Sequence, residues 1–129
     1  MNEDVLAAAA HLVGRFAAHD RAGYFACFAP GASFIFHGTR EFLPSRAAYE
    51  ALWRRWESED GFRVLACHSF EQRAEVFSDI AVFTHKVETR LAFGADEQSS
   101  VERETIIFQR QPDGGWLAVH EHLSTYDFT

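Results

Sequence analysis

The 129-residue chain is poor in several features that would assign it to a class at once. It holds only 2 Cys, too few for a disulfide framework. Cys27 and Cys67 both sit among apolar neighbours, as buried free thiols of a reducing compartment do. No Lys/Arg cluster interrupts a formal net charge of −7, which argues against a nucleic-acid or anionic-membrane partner. No apolar run approaches the ~18 residues that a membrane helix needs. The start, Met1-Asn2-Glu3-Asp4, is acidic where a secretory signal is basic, so a cytoplasmic location is expected. Phosphate-loop and Gly-x-Ser-x-Gly motifs are both missing. So are repeats, low-complexity tracts and linkers. Residues 1–129 are therefore read as one domain, long enough to bury roughly two thirds of its unfolded surface.

Aromatic side chains are what the chain does have: 13 Phe and 3 Trp, more than a disordered chain carries. The first third reads as helical. Asn2 can cap a helix whose first turn carries Glu3 and Asp4, with Val5, Ala9, Leu12, Val13 and Phe16 on one stripe. Asp20 can cap a second, short helix through Phe28, stopped by Pro30-Gly31. Ser33 to His37 reads as a brief strand. Ser45 can cap a third helix that carries Tyr49, Leu52, Trp53 and Trp56 on one face and stops at Gly61. From Phe62 the period becomes two, with strands expected over Phe62–Val76, Ile80–Phe93, Val101–Gln111 and Gly115–Tyr126. Helices followed by long antiparallel strands predict an α+β fold, a curved sheet with helices on one face. His11 and His19 are expected to face solvent.

Turn chemistry sets the register, and the register sets the faces. Gln111-Pro112-Asp113-Gly114 suits a type I turn closing a three-residue loop, which pairs Gln111 with Gly115, Ile106 with His120 and Glu104 with His122. A two-residue turn would slip this by one and place Thr105 opposite His122; the first register uses the proline and is preferred. In the earlier hairpin, a turn at Ser78-Asp79 pairs Ala74 with Phe83, Gln72 with His85, Phe70 with Val87 and His68 with Thr89. The inner face then carries His68, Gln72, His85, Glu104, His120 and His122 among aromatics. Burying so many polar groups costs several kcal/mol unless they are hydrogen-bonded or wet. A cavity between sheet and helices is predicted.

The C-terminal hairpin, Arg103-Glu104-Thr105 through Pro112-Asp113-Gly114-Gly115-Trp116-Leu117-Ala118-Val119-His120-Glu121-His122-Leu123-Ser124, with its W-x-x-V-H-x-H-x-S run, resembles the nuclear-transport-factor-2-like superfamily. The likeness is to its SnoaL-like branch and to the association domain of calcium/calmodulin-dependent protein kinase II. The resemblance implies a cone-shaped half-barrel with three N-terminal helices over the concave face of the sheet, and a deep cavity. It also implies homodimers through the convex face. Members range from isomerases, cyclases, dehydratases and hydrolases to inert binding or association domains, so the fold leaves the activity open. The Asp-plus-Tyr arrangement of ketosteroid isomerases and the arginine-rich pocket of the kinase domain have no match at the sequence level.

Glu104 and His122, opposed across two strands, are the first catalytic candidates, a carboxylate orienting a histidine base. His120 is the second, as proton donor. His85, His37, His68 and Gln72 are candidate ligand contacts, with Trp53 as an aromatic wall and Tyr24 as a hydrogen-bond donor. His120, His122 and Glu104 also form a two-His-plus-carboxylate set of the kind that holds iron, but no further ligand follows; neither metal nor cofactor is expected. Apolar Val101, Ile107, Leu117, Val119 and Leu123 are placed on the outer face as a homodimer surface. The expected partner is an apolar or aromatic small molecule, acted on by proton transfer or merely held.

Overall fold

The computed structural model describes residues 2–126. Helices α1 (Asn2–Ala17), α2 (Arg21–Phe25) and α3 (Arg46–Asp60) accompany strands β1 (Phe28–Phe36), β2 (Phe62–Phe77), β3 (Ile80–Phe93), β4 (Asp96–Arg110) and β5 (Trp116–Thr125). The strands form one sheet in the order β1-β5-β4-β3-β2, antiparallel except that β1 runs parallel to β5. The sheet is curved and unclosed, the α+β cone that the pattern of helices then strands predicts. Among the described residues, no helix is long and apolar enough to cross a membrane.

Local chemistry explains most boundaries. The Asp20 carboxylate accepts from Gly23 N at 3.0 Å and starts α2. The Ser45 hydroxyl accepts from Ala48 N at 3.1 Å and starts α3. Gly61 ends α3 at φ 64, in the left-handed region. Helix α2 stops at Phe25 rather than Phe28, and Pro30-Gly31, expected as its stop, lies inside β1. This is possible because β1 is an edge strand whose pairing is interrupted between Phe28 and Ser33, so the N–H that Pro30 lacks is not needed by the ladder. Strand β4 begins at Asp96 rather than Val101, because a two-residue turn at Gly94-Ala95 (Gly94 φ 64) closes β3 directly onto it.

The core is an aromatic stack between helices and sheet. Tyr24 packs against Phe16, Phe28 and Trp53 at 5.1–5.4 Å between ring centres. Trp53 has no exposed surface, and its indole N–H donates to Glu57 at 3.0 Å. His19, expected in solvent, is instead half-buried: Nδ1 accepts the Val64 N–H at 3.0 Å, so Nε2 carries the hydrogen and donates to Glu57 at 2.8 Å. That histidine ties the turn after α1 to α3 and to the start of β2.

Two irregularities decide which way side chains point. The Pro112-Asp113-Gly114 loop closes as expected, with Gly114 at φ 89 and the Gln111 N–H donating to Gly115 O at 2.7 Å. Arg110 faces Trp116 and Phe108 faces Ala118. Ile107 then faces His120, so Val119 is an extra residue in β5, and everything beyond it is shifted by one. Strand β1 is irregular at the same level, between Phe28 and Ser33. The second irregularity lies in β2 between Phe70 and Arg73, where Glu71 takes φ 52. Ala74 faces Phe83 as expected, but Phe70 faces Lys86, and Ser69, not His68, turns inward. A third shift separates Val64 from Ala66.

Gly61 is the position least able to take a side chain, since an added Cβ would lie 2.9 Å from the backbone N of Gly94 while φ stays at 64. Gly61→Ala is expected to lower stability by about 2 kcal/mol or more, and Gly114→Ala, whose site is open, by about 1 kcal/mol. Urea denaturation of the two variants against wild type checks the order.

Candidate active site

The concave face and the helices enclose a cavity of about 460 Å³. Leu12, Val13 and Phe16 of α1 form one wall, Tyr49 and Trp56 of α3 another, and Val87, Leu91 and Phe93 of β3 the sheet side. His37, Gly38 and Thr39, just after β1, also line it together with Glu102. Its polar end is built by Tyr24, Tyr49, Glu104 and Glu121.

That end is the centre of a polar row crossing four strands. Ser69 on β2, His85 on β3, Glu104 on β4 and Glu121 on β5 all point to the helices. His85 and Glu104 are direct cross-strand partners, and His85 Nε2 lies 2.6 Å from Glu104 Oε1. Ser69 Oγ lies 2.5 Å from His85 Nδ1 and accepts from Gln72 Nε2 at 2.9 Å. The Glu104 carboxyl oxygen accepts from Nε2–H, so in a neutral His85 ring Nδ1 is the acceptor and takes the hydrogen of the Ser69 hydroxyl. Tyr24 donates to Glu121 at 3.2 Å, and Tyr49 donates to Tyr24 at 3.0 Å. Glu104 and Glu121 hydrogen-bond to each other, which requires one of the two to be protonated.

Burial dominates the electrostatics. Desolvation, then the neighbouring Glu104 charge, pushes Glu121 well above the ordinary carboxyl range, so the pair keeps a proton. Desolvation raises Glu104 to about 7. His85, whose side chain has no exposed surface, is lowered by burial to about 4 and is neutral at neutral pH. Burial likewise keeps the phenols of Tyr24 and Tyr49 protonated. The result is a buried carboxyl pair that holds one proton, shares one negative charge and accepts from two neutral donors, His85 and Tyr24. A carboxyl that titrates near neutrality can both take and return a proton.

Several expected positions are corrected. Glu104 faces Leu123, not His122; the extra residue Val119 turns His120 and His122 away from the cavity and brings Glu121 in. His122 is exposed, its ring 6.3 Å from that of His120, which sits beside Ser33 at 2.8 Å. His68 and Gln72 are exposed because the β2 bulge reverses their faces, though Gln72 still reaches the row through Ser69. Trp53 is sealed in the core; Trp56 and Tyr49 supply the aromatic wall. Leu123, expected outside, lines the cavity. Tyr24 lies in the cavity wall, His85 behind Glu104, and His37 at the cavity edge with Nε2 at 2.5 Å from Glu102. The two-His-plus-carboxylate set is not assembled, and among the described residues no group of three or more His, Cys, Asp or Glu could hold a metal. Glu121 and Tyr49 were missed as polar cavity groups. Only the flanking histidines hinted at Glu121, and strict alternation assigned it to the outside.

A family model described as a SnoaL-like domain matches residues 5–127. The chain belongs to the SnoaL-like domain family. This SnoaL-like chain lies within the nuclear-transport-factor-2-like superfamily, and solved structures share its fold. A ketosteroid isomerase-like protein from Erwinia carotovora atroseptica is 15% identical at a TM-score of 0.80, covering 98% of this chain and 97% of its own. A Catenulispora acidiphila protein in complex with S-DNPA is 11% identical at 0.78, covering 95% and 91%. A candidate calcium/calmodulin-dependent kinase II association domain from Exiguobacterium sibiricum is 16% identical at 0.79, covering 98% and 93%. These likenesses speak for the SnoaL-like fold alone. No curated protein sequence matches the chain.

The shifted groups make stability depend on pH in opposite senses. Raised carboxyls stabilise the fold at low pH, and this contribution is lost as pH rises from about 4.5 through the folded value, near 7 for Glu104. The lowered His85 does the reverse, adding stability as pH rises from about 4 to 6.5. Above pH 6.5 only the carboxyl contribution remains. The thermal midpoint is therefore expected to fall between pH 6.5 and 8.5 in wild type and to fall less in Glu104→Gln and Glu121→Gln; an equal fall in all three proteins would contradict the assignment.

Proposed function

We propose that the cavity binds an apolar small molecule and that the Glu104–Glu121 pair moves a proton on it, in an isomerisation-type reaction. The observation that carries this reading is the buried carboxyl pair at one end of a cavity whose walls are mostly apolar. Glu104 is the base, oriented by His85; Glu121 holds the proton that can be delivered in return, and Tyr24 positions Glu121. One proton on two carboxyls lets the pair accept at one oxygen while donating from another, which is the bookkeeping of moving a double bond or a hydrogen within one molecule. A ketosteroid isomerase-like neighbour and a neighbour in complex with a small molecule are consistent with such use of the fold. The proposed assembly is a cytoplasmic homodimer through the outer sheet face, where Val101, Ile107, Leu117 and Val119 are only half-buried.

A second reading is a non-catalytic ligand-holding or association domain, favoured by the neighbour described as a candidate association domain. The two separate in heavy water. A set of apolar cyclic ketones, with and without a remote amino group, is incubated with enzyme, and deuterium uptake at carbon is read by mass spectrometry. Proton transfer predicts uptake that rises with pH up to about 7 and then levels, as Glu104 loses its proton. Glu104→Gln is expected to slow uptake by about 100-fold or more, and exposed His122→Gln to change it less than twofold. Uptake surviving Glu104→Gln would remove the base from the scheme, and binding without any uptake would favour the second reading.

A further inference from the structure

The donor and acceptor inventory at the polar end is one-sided. Every hydrogen the row can donate is already spent inside it: Tyr49 to Tyr24, Tyr24 to Glu121, the carboxyl proton between Glu121 and Glu104, and His85 to Glu104. What remains toward the cavity is lone pairs on carboxyl and phenol oxygens. The charge inventory is equally one-sided. Among the described residues lining the cavity none is Lys or Arg, while Asp60, Glu102, Glu104 and Glu121 all line it. The one histidine in the lining, His37, is taken up by Glu102 at 2.5 Å, and His85 behind Glu104 is neutral. A buried anion normally has a cationic partner, and none is supplied from within the fold. The walls, meanwhile, are rich in π faces: Phe16, Tyr49, Trp56, Phe62 and Phe93. Such faces attract organic cations.

We infer that the cavity selects an apolar ligand bearing a protonated amine, whose N–H groups donate to Glu104 and Glu121 and whose charge replaces the cation the protein does not provide. The inference rests on the carboxyl-pair site proposed above and names its ligand class. A carboxylate or phosphate ligand would meet like charge with nothing to neutralise it. A bare carbonyl would meet lone pairs. An ammonium satisfies both inventories at once, and the acidic rim of Asp60 and Glu102 favours its approach.

Four probes with one hydrocarbon body test this: 1-naphthylmethylamine, 1-naphthylmethanol, 1-naphthaldehyde and 1-naphthoate, titrated calorimetrically at pH 7. The amine is expected to bind at least 10-fold more tightly than the alcohol, with the aldehyde weaker and the naphthoate weakest. Glu104→Gln is expected to cut the amine's advantage over the alcohol to below threefold while the aldehyde is unaffected. Glu121→Gln is a second variant should the first fail to fold. Aldehyde or naphthoate binding as tightly as the amine overturns the inference, as does an amine preference that survives both substitutions or the absence of millimolar binding by any probe. Deuterium uptake is read separately, so a failed amine preference with uptake intact leaves the proton-transfer reading standing.

Discussion

One proton shared between two buried carboxyls is the constraint around which the rest of this protein is arranged. Glu104 and Glu121 are both almost fully buried and hydrogen-bonded to each other, and among the described residues no Lys or Arg lines the cavity beside them. Such a pair can exist only if one member stays protonated and the remaining charge is met by donors from several directions. The fold provides those donors from both layers. His85 reaches Glu104 from the neighbouring strand, and Tyr24 reaches Glu121 from a helix of only five residues. The helical layer is therefore not just a lid. Removing its phenols would leave Glu121 with a buried, unmatched oxygen, and the row would lose its register with the cavity.

The sheet meets this demand by breaking its own alternation. A strand without irregularity would place His120 and His122 inside and Glu121 outside; one inserted residue, Val119, exchanges them. In β2 the bulge at Glu71 exchanges His68 for Ser69, and a short hydroxyl replaces a ring beside His85. Both exchanges reduce the titratable load of the interior. Four groups that alternation would bury, His68, Gln72, His120 and His122, lie outside it, and the polar groups that remain are hydrogen-bonded to one another. Bulges also bend strands. The same two insertions that choose the chemistry thus also bend the strands that carry it.

This is also where reading the chain residue by residue reached its limit. Helix caps at Asp20 and Ser45, the stop at Gly61, the loop at Pro112-Asp113-Gly114 and the pairing next to that loop and to Ser78-Asp79 follow from local chemistry and were legible, whereas the turn at Gly94-Ala95 was not. Faces propagate from a turn only until the first extra residue. Nothing local marks Val119 as that residue, because a valine suits a strand whether paired or bulged, and Glu71 differs little from its polar neighbours. The presence of a polar cavity was legible from the inner-face load, and Glu104, His85 and Tyr24 lie within or just behind it. Its central pair was not, since Glu121 is hidden by a one-residue shift that depends on contacts with β1 and β4.

The comparison of His85 with His122 shows how far environment outweighs residue type. Both are imidazoles on adjacent parts of one sheet. His85 is buried between a hydroxyl and a carboxyl, and burial holds it neutral over the whole physiological range, so its role is to donate a fixed hydrogen rather than to titrate. The group that titrates near neutrality is instead a carboxyl, raised by the same burial that silences the histidine. Desolvation disfavours both charged forms, and so moves an acid up and a base down toward each other. In an apolar cone, then, the roles usual in water are exchanged: the carboxyl becomes the proton carrier, and the histidine becomes part of the scaffold that aims it.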